Sequence, residues 1–558
     1  MSAESRRRDP EVPMIDARRA EEYRRAGLWQ RETLAELLRA ARTRDPQRCA
    51  LVTPTDRLSY ADLHAAVTST SERLRGLGID IGDRVVVHLP NRTEMLVLVL
   101  ALLEIGAPPV LVMPGFGDYE LAHVVAVAEP VALAVSTEGP RRTAVESARR
   151  LREQHPALRH VLVSGQDSTA EIDLRTLCDP NASWCAPLAP VPAPNDRHPH
   201  DAAVFLLSGG TTGAPKVIPR GNAGYAYMIR ATCEIAALSA DSVYLAVMPA
   251  AHGFVLNCPG VLGTLVCGGT VVLADPDDPR RAFALIERER VTHCALVPTL
   301  ATRWVSAAAE TTADLSSLRV VQIGGAPPDP DLAARIGPAL GATLQQCYGM
   351  SEGLLNYTAL TDPDAVVHGT QGRPASPLDE IRIVDDTDRE VPDGEMGQLL
   401  TRGPYTVAGY YRDPAATAKA FTPEGFYRTG DMVTRTPRGD LVVGGRARDI
   451  VNRGGDKIPA ADLEMLVTRH PGVRACAVIG APHALYGEVV CLYVVAEPGA
   501  EPGLLAVRGF LREIGVAPYK LPESLWVVDE LPTTALGKID KNALRADLAR
   551  RTAVEAQA

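Results

Sequence analysis

No run of eighteen apolar residues occurs anywhere in this chain of 558 residues, which excludes a membrane-spanning helix of ordinary length. The most apolar stretch, MLVLVLALL from Met95 to Leu103, is interrupted by Glu104 and Gly106 and reads as a buried helix, with Asn91 and Glu94 as a capping box at its start. There is no C-x-x-C pair and no Cys/His cluster at zinc spacing among the ten cysteines, so neither a zinc module nor a disulfide scaffold is encoded. Free thiols suit a reducing, cytoplasmic setting. Positive charge is not in excess: 58 Lys and Arg against 68 Asp and Glu leave a net charge of −10, and no global field attracts nucleic acid. The charged N-terminus, MSAESRRRDPEVPMIDARRAEEYRR, has no apolar segment of the secretory kind, and neither export nor a membrane partner is expected.

What is present is ordinary globular material, 46% hydrophobic and 23% charged, in a length that accommodates several domains. Short β-branched runs, DRVVVHL (83–89), HVLVSG (160–165), TVVLAD (270–275) and LRVVQIGG (318–325), alternate with alanine- and leucine-rich helical stretches. That rhythm predicts an α/β fold with mostly parallel sheets. A proline-rich connection at 185–201 interrupts it. Beyond about Gly430 the pattern changes: GDLVVGGRARDIV reads as a hairpin, and ADLEMLVTRHPGV followed by ACAVIG reads as a helix and a strand. A second, smaller α+β domain of about a hundred residues is expected there.

The sharpest local motif is LLSGGTTGAPK (206–216), directly after the apolar AAVFLL. Its three glycines let backbone amides approach an anion closely, its hydroxyls add donors, and Lys216 adds charge, which suits polyphosphate. It is not a Walker loop, because Pro215 precedes Lys216 and Val217 follows it. Taken alone, the segment could be a flexible glycine turn. Lys538 alone could be a surface lysine, Glu352 a helix-terminal carboxylate, Asp431 a turn residue and His252 a satisfied interior histidine.

Order along the chain changes that reading. The loop is followed by YGMSE (348–352), YRTGD (427–431), GRARD (445–449) and LGK (536–538), and this series resembles the adenylate-forming superfamily. Within it, IPRGNAGYAY (218–227), the His252 segment, LQQCYGMSEGLLNY (344–357), TRGPYTVAGYY (401–411) and NRGGDKI (452–458) resemble the stand-alone aryl-acid AMP ligases for dihydroxybenzoate and salicylate in siderophore pathways. The resemblance runs from about Leu28 to Leu548 and implies a large N-terminal adenylation domain, 1–445, and a small mobile lid, 446–558, turning about a hinge at Arg448. It implies ATP and Mg²⁺, with aryl-AMP and pyrophosphate made first and the aryl group then passed to a nucleophile. The chain ends soon after Lys538, so a separate carrier protein, free CoA or another small nucleophile is the expected acceptor.

The residue roles that the resemblance implies are these. Ser208, Gly209, Gly210, Thr211 and Thr212 would cradle the β- and γ-phosphates with Lys216 in support, and Glu352 would hold Mg²⁺. Tyr348 and Gly349 would flank adenine above a floor of Gly324, Gly325 and Ala326. Asp431 would accept the ribose hydroxyls with Arg446 nearby, and Lys538 would bridge the substrate carboxylate and α-phosphate. His252 would gate the carboxylate. Gly253, Phe254, Cys258, Gly325, Cys347 and Leu355 would form an apolar aryl pocket. The family usually has asparagine after the gating histidine, to recognise an ortho-hydroxyl; here Gly253 offers no side chain and leaves space, while Cys258 and Leu355 match the salicylate type. An aminobenzoate such as anthranilate or 3-hydroxyanthranilate is the favoured acid, with salicylate analogues and bicyclic acids next. The alternatives are a general aryl- or acyl-CoA ligase and an inactive adenylate-binding homologue.

Overall fold

The four β-branched runs become the strands Val85–Val87, His160–Ser164, Thr270–Leu273 and Val320–Ile323, all parallel to their neighbours. This computed structural model describes residues 9–138, 144–165, 172–184, 187–191, 201–208, 215–274, 278–328, 330–385, 387–446, 450–454, 456–532, 539 and 541–555. Their contacts fall into two units, one of the described residues in 9–114, 124–208 and 216–445, the other of those in 115–123 and 446–555.

The large unit holds three sheets. One has nine strands in the order Arg373–Pro374, Leu355–Tyr357, Thr343–Gly349, Val320–Ile323, His293–Leu296, Val243–Ala246, Thr270–Leu273, Cys49–Val52 and Arg57–Ser59. A second has seven: Ile172–Asp173, His160–Ser164, Ala132–Ser136, Val85–Val87, Pro109–Leu111, Ala202–Ser208 and Lys216–Gly221. Both are parallel through the middle, where crossover connections cover the faces; the first is antiparallel at both edges and the second at one. The third sheet is antiparallel: Glu380–Val384, Met396–Arg402, Tyr427–Arg435 and Leu441–Arg446.

The apolar segment forms the helix Thr93–Ile105, with every residue from Met95 to Ile105 buried, and Gly106 in the left-handed conformation ends it. The expected capping box does not form. Arg92 is the cap residue, and its side chain makes no capping hydrogen bond to the helix. Asn91 is drawn into tertiary structure instead: its Nδ2 donates to the carbonyls of Met248 (2.9 Å) and Ala274 (3.1 Å), and its Oδ1 accepts from the Ala250 amide (2.7 Å). Glu94 accepts from Arg175 at 3.1 Å. Three buried backbone groups outbid a helix end that water could serve.

The expected hairpin at 439–451 is also displaced. The turn lies at Thr436–Asp440, where Gly439 takes φ +87° and the Thr436 amide donates to the Asp440 carbonyl at 2.9 Å, so Leu441–Arg446 follows Tyr427–Arg435 in the same sheet. Ile450–Arg453 pairs instead with Asp456–Pro459 and belongs to the small unit.

The small unit is α+β. Asp456–Pro459, Ile450–Arg453, Gly487–Ala496 and Val473–His483 lie side by side, and Ser524–Val527 runs parallel to Gly487–Ala496. The helices Ala460–Val467 and Leu504–Glu513 cover a core that includes Ile458, Leu463, Val478, Leu492 and Leu511. Among the described residues no helix is long and apolar enough to cross a membrane.

One buried acid in the large unit gives a pH prediction. The Asp379 carboxylate accepts from the Tyr405 hydroxyl and from the Ser376 amide (3.2 Å), yet burial pushes its pKa from 3.8 up to about 7. A folded-state pKa raised in this way favours the protonated form, so the stabilisation is complete below pH 3.8 and is lost as pH rises through 7. Wild type is therefore expected to lose up to about 1.4 kcal/mol per pH unit across that window relative to Asp379→Asn. Parallel melting temperatures for the two proteins from pH 5 to 8 would count against it.

Candidate active site

The site is assembled where several strands of the large unit end. Ser208 closes Ala202–Ser208 and Lys216 opens the returning strand Lys216–Gly221, with the two in register across the pair. Gly209, Gly210, Thr211 and Thr212, between them, lie outside the described residues. Lys216 places its Nζ 4.3 Å from the centroid of the Tyr410 ring, a cation–π contact. The Tyr410 hydroxyl donates to Glu352 Oε1 at 3.0 Å, and Glu352 is 5% exposed. Burial and the adjacent carboxylate raise the Tyr410 pKa, keeping the phenol a donor. One aromatic ring thus ties the lysine of the glycine-rich loop to the acid of the YGMSE motif. Arg220, fully buried, donates to the Ser351 carbonyl and faces Tyr225 at 5.3 Å, which fixes the backbone beside Glu352. Its burial lowers its pKa.

The donor chemistry around Glu352 fits a magnesium ion. Its one described side-chain hydrogen bond occupies Oε1, leaving the second carboxylate oxygen for a hard cation. No cluster of three metal-ligating side chains occurs among the described residues.

On the strand Thr343–Gly349, Cys347 and Tyr348 point to opposite faces. The Tyr348 hydroxyl donates to Asp431 Oδ2 at 2.7 Å. The backbone of Asp431 is held in turn: its amide donates to Thr429 Oγ1 (3.0 Å), whose hydroxyl donates to the Leu399 carbonyl (3.0 Å). Tyr348 and Asp431 are therefore neighbours. Arg446 ends the strand Leu441–Arg446, though its side chain is outside the description, as are Arg448 and Lys538.

The other face of that strand leads to the aryl residues. Cys347 lies opposite Tyr357, and Leu355 opposite Gly349, across the antiparallel pair, so all three side chains share one face. Gly324 follows the strand Val320–Ile323, and a Cβ there would lie 2.8 Å from Phe254 Cζ and 2.9 Å from the Cys347 carbonyl. Only glycine fits between the aromatic ring and the strand. Gly325 takes φ +83° and is exposed, with Ala326 beside it half-buried. Phe254, Cys258, Cys347 and Leu355 are all buried. The Cys258 thiol is pushed up to about 12, and Cys347 is raised as well, so both are neutral apolar wall.

His252 is exposed and caps the short helix Gly253–Asn257, its Nδ1 accepting from the Phe254 amide at 3.2 Å. The neutral ring therefore carries its proton on Nε2. Gly253 is less open than expected: a Cβ there would meet Leu206 Cδ1 at 3.3 Å and Asn257 Oδ1 at 3.5 Å. The space is real but bounded by a flexible leucine tip and a buried amide. Tyr410, Arg220 and Asn91 were not among the site residues expected from sequence. TRGPYTVAGYY and IPRGNAGYAY contain the first two, and only the pairing of Tyr410 with Glu352 reveals why.

Glu352 tied through Tyr410 to Lys216, and Tyr348 bonded to Asp431, stand in a chain that is an adenylate-forming ligase. Residues 38–411 match the family model for the AMP-binding enzyme and residues 462–538 that for the AMP-binding enzyme C-terminal domain. The chain is 45% identical to a 2-hydroxy-7-methoxy-5-methyl-1-naphthoate–CoA ligase of Streptomyces carzinostaticus, covering 95% of this chain and 96% of that one. It is 42% identical to a salicyl-AMP ligase / salicyl-S-ArCP synthetase of Mycobacterium tuberculosis, over 97% and 96%. The apo structure of MbtA from Mycobacterium smegmatis superposes with a TM-score of 0.74 at 42% identity, covering 96% of this chain and 98% of that one. The chain belongs to the AMP-binding enzyme family, in its group of stand-alone aryl-acid AMP ligases.

Proposed function

We propose that this enzyme activates an ortho-substituted aromatic acid, an aminobenzoate such as anthranilate or 3-hydroxyanthranilate, as aryl-AMP, and passes the aryl group to the thiol of a separate carrier protein or of CoA. The observation that carries the choice of acid is Gly253, which removes any side chain from the position next to the gating histidine. In the first half-reaction a carboxylate oxygen attacks the α-phosphorus and the bond to pyrophosphate breaks. Glu352 would hold a Mg²⁺ ion, which would supply positive charge against the departing pyrophosphate. Ser208, Thr211, Thr212 and Lys216 hold the phosphates, Tyr348 and Asp431 hold the nucleoside, and Lys538 offsets the repulsion between carboxylate and α-phosphate. The Nε2 proton of His252 is a donor suited to a carboxylate oxygen, which supports its gating role. In the second half-reaction a thiolate attacks the aryl carbonyl and AMP departs. A bicyclic acid is the second reading, favoured by the naphthoate named for the Streptomyces relative together with the missing side chain at 253.

Acid-dependent exchange of labelled pyrophosphate into ATP tests the reading, run with benzoate, salicylate, dihydroxybenzoate, the two aminobenzoates and bicyclic acids. Exchange should be greatest with an aminobenzoate, and Gly253→Asn should move the ranking towards 2-hydroxybenzoates by about tenfold. An unchanged ranking in the variant would remove Gly253 from the pocket. A maximum with a bicyclic acid would select the second reading.

A further inference from the structure

The geometry points to Asn257 as a specificity-determining residue that recognises a hydrogen-bond donor on the ring of the aryl acid. This rests on residues 253–258 lining the aryl pocket, as proposed above. Asn257 ends the short helix that Gly253 begins, and residues four apart lie on one helical face. Its Oδ1 stands 3.5 Å from where a Cβ on Gly253 would be. A side chain at 253 would extend across this oxygen; with glycine there the oxygen faces the vacated volume. Glycine at 253 thus acts as a window onto the amide.

The amide is placed to act through that window. Asn257 is 3% exposed, so water does not compete for it. Its orientation is fixed by the Tyr225 hydroxyl, which donates to Oδ1 at 2.6 Å. A carbonyl oxygen has two lone-pair directions, and Tyr225 uses one. Among the described residues the Nδ2 side donates to sulfur, to Cys258 Sγ at 3.3 Å and Met228 Sδ at 3.9 Å, which are weak acceptors. A ring N–H or O–H entering from the Gly253 side meets a buried, oriented acceptor, whereas a methyl group in the same place leaves its second lone pair unused. The chemical class selected is an aromatic acid with an amino or hydroxyl donor on its substituted edge.

The test measures kcat/KM for pyrophosphate exchange with matched acids, anthranilate against 2-methylbenzoate and 2-hydroxy-1-naphthoate against 2-methyl-1-naphthoate. The full-length wild type is compared with Asn257→Leu, Asn257→Ser and Tyr225→Phe. Wild type should favour the donor-bearing acid by about ten- to a hundredfold on whichever skeleton it activates. Asn257→Leu, close in shape but lacking an acceptor, should bring that ratio near one, chiefly through KM for the donor-bearing acid. Asn257→Ser, the milder variant should leucine prevent folding, keeps a small hydroxyl and should fall between. Tyr225→Phe, which keeps the acceptor but frees its orientation, should weaken the preference without abolishing it. A ratio unchanged in both folded Asn257 variants overturns the inference and leaves the aryl-acid reading standing, as does a wild type indifferent to the donor. Exchange with none of the four acids overturns both.

Discussion

Lys538→Ala is expected to lower acid-dependent pyrophosphate exchange by about 10²–10³-fold, the scale on which one group stabilising developing charge contributes to a transition state. Two anions, the substrate carboxylate and the α-phosphate, must approach within bonding distance in the first half-reaction, and the role proposed for the Lys538 ammonium is to offset their repulsion. The second half-reaction brings a thiolate to a carbonyl and has no such pair. Transfer of the aryl group from supplied aryl-AMP should therefore be retained within a few-fold in the same variant. Exchange within tenfold of wild type, or equal loss in both half-reactions, would take the proposed role away from Lys538.

The second large effect is at Glu352. Glu352→Gln keeps the shape and can still accept from Tyr410, but it removes the charge that suits a magnesium ion, so exchange should fall by about a hundredfold and need more free Mg²⁺ to reach half-maximum. Tyr410→Phe isolates the other half of the arrangement. The ring that faces Lys216 is retained and only the 3.0 Å hydrogen bond to Glu352 is lost, a change of about 1.5–3 kcal/mol for a bond to a charged group. Its exchange should lie between wild type and Glu352→Gln, with the Mg²⁺ requirement shifted in the same direction. A Mg²⁺ dependence identical across all three proteins would show that Glu352 does not serve the metal.

Those effects trace back to residues that the sequence exposes unequally. SGGTTG, YGMSE and YRTGD stand out because each concentrates unusual residue types within a few positions, and strand runs such as LRVVQIGG stand out because burial on both faces makes them continuously apolar. Tertiary hydrogen bonds leave no such trace. Asn91 looks like a helix cap because an acid follows three residues later, and nothing nearby announces the three backbone groups around Met248, Ala250 and Ala274 that claim it. LVVGG and DIVNR look like hairpin arms because they are adjacent, while their actual partners, Tyr427–Arg435 and Asp456–Pro459, depend on a turn at Gly439 and on which unit each strand joins. Tyr410 and Asn257 matter through contacts with residues that only the fold brings near, Glu352 at a separation of 58 positions and Tyr225 at 32.

Gly324 and Gly253 differ in a way that bears on redesign. At Gly324 the obstacles to a side chain include the Cys347 carbonyl, part of a strand paired on both sides that cannot yield locally, so saturation mutagenesis there should return almost only the parent residue among active clones. At Gly253 the nearest atom is the tip of Leu206, which can rotate away. A combinatorial library meant to retarget the enzyme to new acids should hold 324 constant and vary 253 together with 206 and 257, since these three positions share one small volume and will show epistasis.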